Sequence, residues 1–164
     1  MQVNFDNLVI SKPDVSSTTS SSNQQENSSG QTTNSIIYQD DFSTSSDVLQ
    51  MHQGNDAITE VSNGVFLLTN KSNSWWISEI SVPASDSISS VRIHQLAGPP
   101  SNNTGFGVMC RYAVSETGYP TGYLFAISGD GYASIQIIKP DGSIAPLVDW
   151  TASNLVEQAG AYLI

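Results

Sequence analysis

Two tryptophans stand side by side at Trp75-Trp76. Neighbouring side chains on an extended segment point to opposite faces, so one indole can serve the core and the other a ligand. An exposed indole stacks on the apolar face of a pyranose ring while an Arg, Asn or Asp bonds the hydroxyls. Arg111, Tyr132 and Trp150 are the residues that could complete such a saccharide-binding surface. The plain alternative is two core or interface tryptophans and an arginine that pairs with a carboxylate.

Cleaving a glycosidic bond asks for more, namely two carboxyl groups about 5 Å or about 6.5–9.5 Å apart. Glu26, Glu60, Glu79, Glu116 and Glu157 are isolated, with no acidic residue two positions away. Asp40 and Asp41 are adjacent, so on a strand they diverge. Nucleophilic catalysis needs a base held by a third group. His52 and His94 are the only histidines, and no Gly-x-Ser-x-Gly elbow accompanies them. Both read as surface or cross-strand residues, and no catalytic residue is assigned. Asp40 and Asp130, together with Asp41 and Asp141, offer oxygen ligands for a structural calcium ion. Gly129-Asp130-Gly131 and Pro140-Asp141-Gly142 read equally as β-turns in which Asp accepts local backbone bonds. Phosphate loops and dinucleotide fingerprints are absent, so no organic cofactor is expected.

The net charge is −10, with Lys12, Lys71, Arg92, Arg111 and Lys139 as the only cations. Binding a phosphate backbone needs clustered Lys and Arg, which excludes nucleic acid and disfavours anionic membrane surfaces. No apolar run approaches the roughly 18 residues of a membrane span. Cys110 is the single cysteine, which rules out an internal disulfide or a cysteine-based zinc site and suits a small core residue. Charged residues make up 12% of the chain, about half the usual share, and Gly, Ser, Thr, Asn and Asp take their place. Such a composition favours strands and turns and fits an extracellular setting. The opening MQVNFDNLVI lacks a basic region followed by an apolar stretch, so any export signal is expected on a longer parent chain.

The elements that must position these residues are short strands. Val3, Phe5, Leu8 and Ile10 alternate with polar residues, with a change of phase at Asp6-Asn7, until Lys12-Pro13 ends the run. Residues 14–35 contain twelve Ser or Thr and a single aliphatic, Val15, which predicts a disordered linker. Strand-like runs follow near 36–42, 47–51, 56–61, 64–69, 74–81, 88–97, 104–114, 121–128, 132–139 and 143–149. Turns at Asn63-Gly64, Gly98-Pro99-Pro100, Gly118 to Gly122, Gly129-Asp130-Gly131 and Asp141-Gly142 divide them. Turns every eight to twelve residues or so mark a sandwich or barrel. The one helical hint is Thr151 to Gln158, where Ser153 could cap a turn. Alternation places Phe106, Val108, Cys110 and Tyr112 on one face, with Met109 and Arg111 opposite. Tyr123, Phe125 and Ile127 likewise oppose Leu124 and Ala126. The mixed faces are expected to point outward or to line a groove.

Several of these segments resemble the bacterial concanavalin A-like (laminin G and glucanase) superfamily. Tyr38-Gln39-Asp40-Asp41-Phe42-Ser43 resembles its opening strand. Gly107-Val108-Met109-Cys110-Arg111-Tyr112, then Gly122 to Ser128 and Gly129-Asp130-Gly131-Tyr132, is similar to its central strands. Trp150 with Thr151 and Ser153 resembles the turn that follows. The resemblance implies an all-β, two-sheet antiparallel jelly-roll sandwich over 36–164, incomplete at the C-terminus. Val3 to Pro13 resembles that family's final strand, which implies that residues 1–13 end one copy and 36–164 begin the next in a tandem array of the parent chain. A second possibility is that the first strand folds back to fill the vacant slot, since a 22-residue coil spans about 25 Å. The resemblance implies a non-catalytic recognition or spacer module of a larger surface protein, with a glycan or surface polymer as partner. The alternatives are a sugar-acting hydrolase or lyase, and a structural domain without a ligand.

Overall fold

A computed structural model describes residues 1–13, 35–44, 48–80, 82, 86–99, 104–156 and, for the backbone, 161–163. Every regular element among them is a strand: β1 (Gln2–Lys12), β2 (Ser35–Asp40), β3 (Ala57–Ser62), β4 (Val65–Asn70), β5 (Ile88–Ala97), β6 (Gly105–Val114), β7 (Pro120–Ser128), β8 (Tyr132–Ile138), β9 (Ile144–Ala152) and β10 (Ala161–Leu163). They form two antiparallel sheets, one of them curled, in a β-sandwich. The six-stranded sheet runs β10-β5-β1-β4-β3 with β2 also on β1, and the four-stranded sheet runs β6-β7-β8-β9. Apart from Ser35, the linker expected over 14–35 lies outside the described residues.

The larger sheet is organised by β1. Along one edge β1 pairs with β5. Along the other, Gln2 to Phe5 pair with β4 and Leu8 to Lys12 pair with β2. The change of partner falls at Asn7, whose φ of 51° breaks the alternation at the phase change read in the sequence. A left-handed residue is tolerated by Asn because its short polar side chain can bond locally. Opposite the bulge, the Arg92 guanidinium reaches Asp6 at 3.3 Å. The segment for which two placements were open is therefore a central strand of this sheet.

Local chemistry makes the hairpins. Asn63 and Gly64 both have positive φ, 53° and 76°, the requirement of a two-residue type I′ turn between β3 and β4. Between β8 and β9, Asp141 Oδ1 accepts the Ser143 amide at 2.9 Å. The core cluster gathers Val3, Leu8, Phe42, Phe66, Val91 and Phe106, all buried. Phe5, Phe42 and Phe66 form a tilted chain of rings with centroids 5.9 and 6.1 Å apart.

Three expectations need correction. The strands read near 47–51 and 74–81 reduce, within the described residues, to one antiparallel bridge, Leu49 with Ile80. The cause is the run before it: Asn70 Oδ1 accepts both the Ser72 amide and the Ser72 hydroxyl at 2.9 Å, closing a local turn that competes with a ladder. The helical hint at 151–158 is strand through Ala152, then a turn in which the Ser153 hydroxyl accepts the Leu155 amide at 3.2 Å, with 157 and 158 outside the described residues. In β6 the face assignment holds only as far as Cys110. The register then shifts, and Arg111 takes φ of 52°, a bulge that re-aims its side chain.

Candidate functional site: the cleft between the sheets

A cleft of about 930 Å³ opens between the two sheets. Its lining includes the buried core residues Val3, Leu8, Phe42 and Phe66, and exposed residues form its mouth. Among the lining residues Asn73, Ser74, Trp75, Glu79 and Arg111 are exposed and Thr104 is half-buried. Its volume is that of a small-molecule site, which typically spans about 300–1,000 Å³. The mouth offers hydroxyls, an amide, one carboxylate, one guanidinium and an indole.

The segment carrying the tryptophans is held at both ends. Before it, the Asn70 side-chain amide donates to the Ser74 carbonyl at 2.8 Å, and the Ser74 amide donates to the Ser72 hydroxyl at 3.2 Å. After it, the Ser78 hydroxyl donates to the Gln50 carbonyl at 2.8 Å, and the Gln50 amide donates to the Glu79 carbonyl at 3.1 Å. Between these ties Trp76 is half-buried against the core and packs at a tilt on His52, centroids 5.1 Å apart. Trp75 is 46% exposed. The two indoles divide as adjacent residues should, although the segment is not a regular strand.

Trp75 does not stand alone. A Cβ built on Gly105 would meet Trp150 Cη2 at 3.0 Å and Trp75 Cη2 at 3.2 Å. Trp150 belongs to β9 and Gly105 to β6, the opposite edges of the four-stranded sheet. Between those edges Ala126, Ser128 and Ser134 are small and buried. Arg111 lines the same cleft, and its guanidinium meets Asp86 at 3.2 Å with both side chains exposed. An exposed pair of this kind is held weakly, by about 0–1 kcal/mol. Tyr132 is half-buried at the start of β8 in register with Ala152, and it does not line the cleft. Of the five residues singled out in the sequence, Trp75, Trp76 and Arg111 line the cleft, and Trp150 joins Trp75 over Gly105.

The carboxylates Asp40, Asp41, Asp130 and Asp141 are engaged locally. Asp40 accepts the Phe42 amide at 2.7 Å and the Tyr38 hydroxyl at 2.6 Å, and Asp130 accepts the Ser128 hydroxyl at 2.5 Å. Among the described residues no three His, Cys, Asp or Glu side chains gather in a metal-binding group. Hydrogen bonds from the Ser43 amide and side chain hold the Asp41 carboxyl below its ordinary value. The His52 side chain does the same for Asp56 across 2.9 Å, and Ser143 does it for Asp141.

Gly105 and the Asn70-Ser72-Ser74 ties were not singled out in the sequence. The alternate spacing of Asn70, Ser72 and Ser74 is a signal for local side-chain turns. Nothing local marks Gly105, whose role depends on two residues far away in the chain. Comparison with known proteins returns no matching family model, no similar curated protein and no similar solved structure. The chain is thus defined by its architecture: an all-β sandwich of two antiparallel sheets with an aromatic-rimmed cleft between them.

Proposed function

We propose that this chain is a non-catalytic recognition module that takes a saccharide at the mouth of the cleft, within a larger extracellular or surface protein. The observation that carries the proposal is the convergence of Trp75 and Trp150 over Gly105 with Trp75 46% exposed. A flat apolar platform beside hydroxyl and amide groups suits a sugar ring, which presents C–H bonds on one face and hydroxyls around its edge. Arg111, Asn73 and Ser74 supply polar groups at the rim. The ties on either side of Trp75 fix its approach before a ligand arrives, which lowers the ordering cost of binding. Glu79 is the one carboxylate among the described cleft-lining residues, whereas glycoside hydrolysis uses two, which favours binding over turnover. The similarity of 36–158 to concanavalin A-like modules and the Ser/Thr-rich, cation-poor composition support the extracellular setting.

A glycan array followed by affinity electrophoresis on the retained polysaccharide tests the proposal. Retention is expected for the native chain and lost in Trp75→Ala, while Tyr132→Ala, away from the cleft, keeps it. An array on which no glycan is retained, or retention indifferent to Trp75, overturns the saccharide assignment. Release of reducing ends from the bound polysaccharide overturns the non-catalytic one.

A further inference from the structure

We infer that the ligand of this cleft is an uncharged saccharide, and that the ion pair of Arg111 with Asp86 at its mouth selects it against acidic ones. The inference rests on the saccharide reading above and names the class of sugar. Arg111 stands on β6 of the four-stranded sheet, and Asp86 stands two residues before β5 of the larger one. Their contact at 3.2 Å therefore runs from one sheet to the other. Beside Asp86, Ser87 and Ser89 line the cleft and are exposed. The backbone is shaped for this placement. Arg111 takes its left-handed φ of 52° where β6 slips register against β7, and Gly122 sits across the slip. A Cβ on Gly122 would meet the Cys110 carbonyl oxygen at 2.7 Å and the Arg111 carbonyl oxygen at 3.0 Å, so a larger residue would force the bulge apart. A long side chain held on such a sparsely populated backbone marks a position where its aim matters.

Charge decides the class of sugar. Glu79 and Arg111 are the only charged side chains among the described residues that line the cleft. Met1 lines it too, and its amino group donates to the Asn70 carbonyl at 2.9 Å. With Asp86 held on Arg111, positive and negative groups at the cleft balance. A carboxylate or sulfate on a sugar could take Arg111 only by displacing Asp86, and Asp86 and Glu79 would then both oppose it. The excess of 15 acidic over 5 basic residues adds a repulsive field around the mouth. A sugar hydroxyl meets neither cost. It accepts from the guanidinium and donates to the Asp86 carboxylate while the pair stays intact.

Affinity electrophoresis at low salt on a matched set of polymers tests the inference. The set is the neutral polysaccharide retained in the array screen, the same polymer with its primary hydroxyls oxidised to carboxylates, and the methyl ester of that oxidised polymer. The neutral and esterified polymers should retain the native chain, and the oxidised one should do so about tenfold or more weakly. The gap should close as salt rises to about 1 M, where exposed charges are screened. Asp86→Asn removes the carboxylate that occupies Arg111 and should narrow the gap to about threefold or less. Arg111→Gln leaves Asp86 and Glu79 uncompensated and should widen it. Circular dichroism checks the fold of each variant, and either one suffices if the other fails to fold. Array retention confined to acidic glycans, equal retention of the oxidised and neutral polymers, or a gap that the folded variants leave unchanged overturns the inference while the saccharide reading stands. An array on which nothing is retained removes the saccharide reading, and the inference falls with it.

Discussion

Trp150 on β9 and Gly105 on β6 are in contact although two strands lie between them in the sheet, the indole Cη2 standing 3.0 Å from where a Gly105 Cβ would be. The close approach is possible because Gly105 has no side chain. Gly105→Val should push the Trp150 and Trp75 rings aside. The expected result is loss of saccharide retention with a modest loss of stability, about 1–3 kcal/mol for overpacking. Affinity electrophoresis beside thermal unfolding measures both, and unchanged retention would break the link between this contact and the site.

Gly107 sets a stricter limit. A Cβ there would fall 1.9 Å from the Phe125 carbonyl oxygen, which is backbone and cannot swing away. Gly107→Ala must separate β6 from β7 and should cost at least as much as ordinary overpacking, about 1–3 kcal/mol. Gly118→Ala meets nothing within 4 Å but has φ of 82°, so its cost should be limited to backbone strain of about 1–2 kcal/mol. Chemical denaturation of the two variants should rank Gly107→Ala as the more destabilised.

The larger sheet should fail without its centre. β1 pairs with β5, β4 and β2, and it contributes Val3 and Leu8 to the core. Removing residues 1–13 leaves three strands without a partner edge and opens the core. The expected outcome is loss of the cooperative thermal transition by circular dichroism. A truncated chain with the native melting temperature would show that β1 is dispensable.

Acid should loosen the loops first. The carboxyls of Asp41, Asp56 and Asp141 lie below the ordinary value of 3.8, chiefly through hydrogen bonds from Ser43, His52 and Ser143 respectively. A lowered folded pKa means stability that is present above the unfolded value and lost as the pH falls through the folded one. The melting temperature should therefore hold from about pH 7 down to about pH 5 and then decline. Asp141→Asn should be less stable than the native chain at neutral pH and show a shallower acid decline, because one of the titrating groups is gone. A native-like acid profile in that variant would remove Asp141 from the account.

Burial predicts where the core is least forgiving. Phe42 is 2% exposed and packs on Phe66, so Phe42→Ala should cost about 3–5 kcal/mol through transfer and cavity terms. Ile36→Ala, at 60% exposure, should be close to neutral, and urea unfolding of the pair checks the contrast.

Much of the fold was legible in the sequence because strand alternation and turn chemistry are local. Asn63-Gly64 specifies a tight hairpin through its own φ preferences, and Asp141 closes its turn with a residue two positions on. The phase change at Asp6-Asn7 was visible as a break in period before any partner strand was known. The site was less legible. Trp75 and Trp76 announced themselves by type, but the Asn70 and Ser72 side chains that keep their segment out of a ladder made a predicted strand into a bridge.

By itself the sequence determined the β class, the positions of most strands, the hairpin turns and the residue types able to meet a sugar. Those follow from dihedral preferences and period-two patterning, which act over a few residues. Tertiary structure alone decided that β1 lies between strands from distant parts of the chain, with Arg92 meeting Asp6 across 86 residues. It also decided that the mixed side of β7 lines the cleft while Phe125 is left exposed, and that Trp150 reaches Gly105. Alternation separates the two sides of a strand but cannot say which side finds a partner. That depends on how sheets curl and stack, a property of the assembled chain rather than of any segment in it.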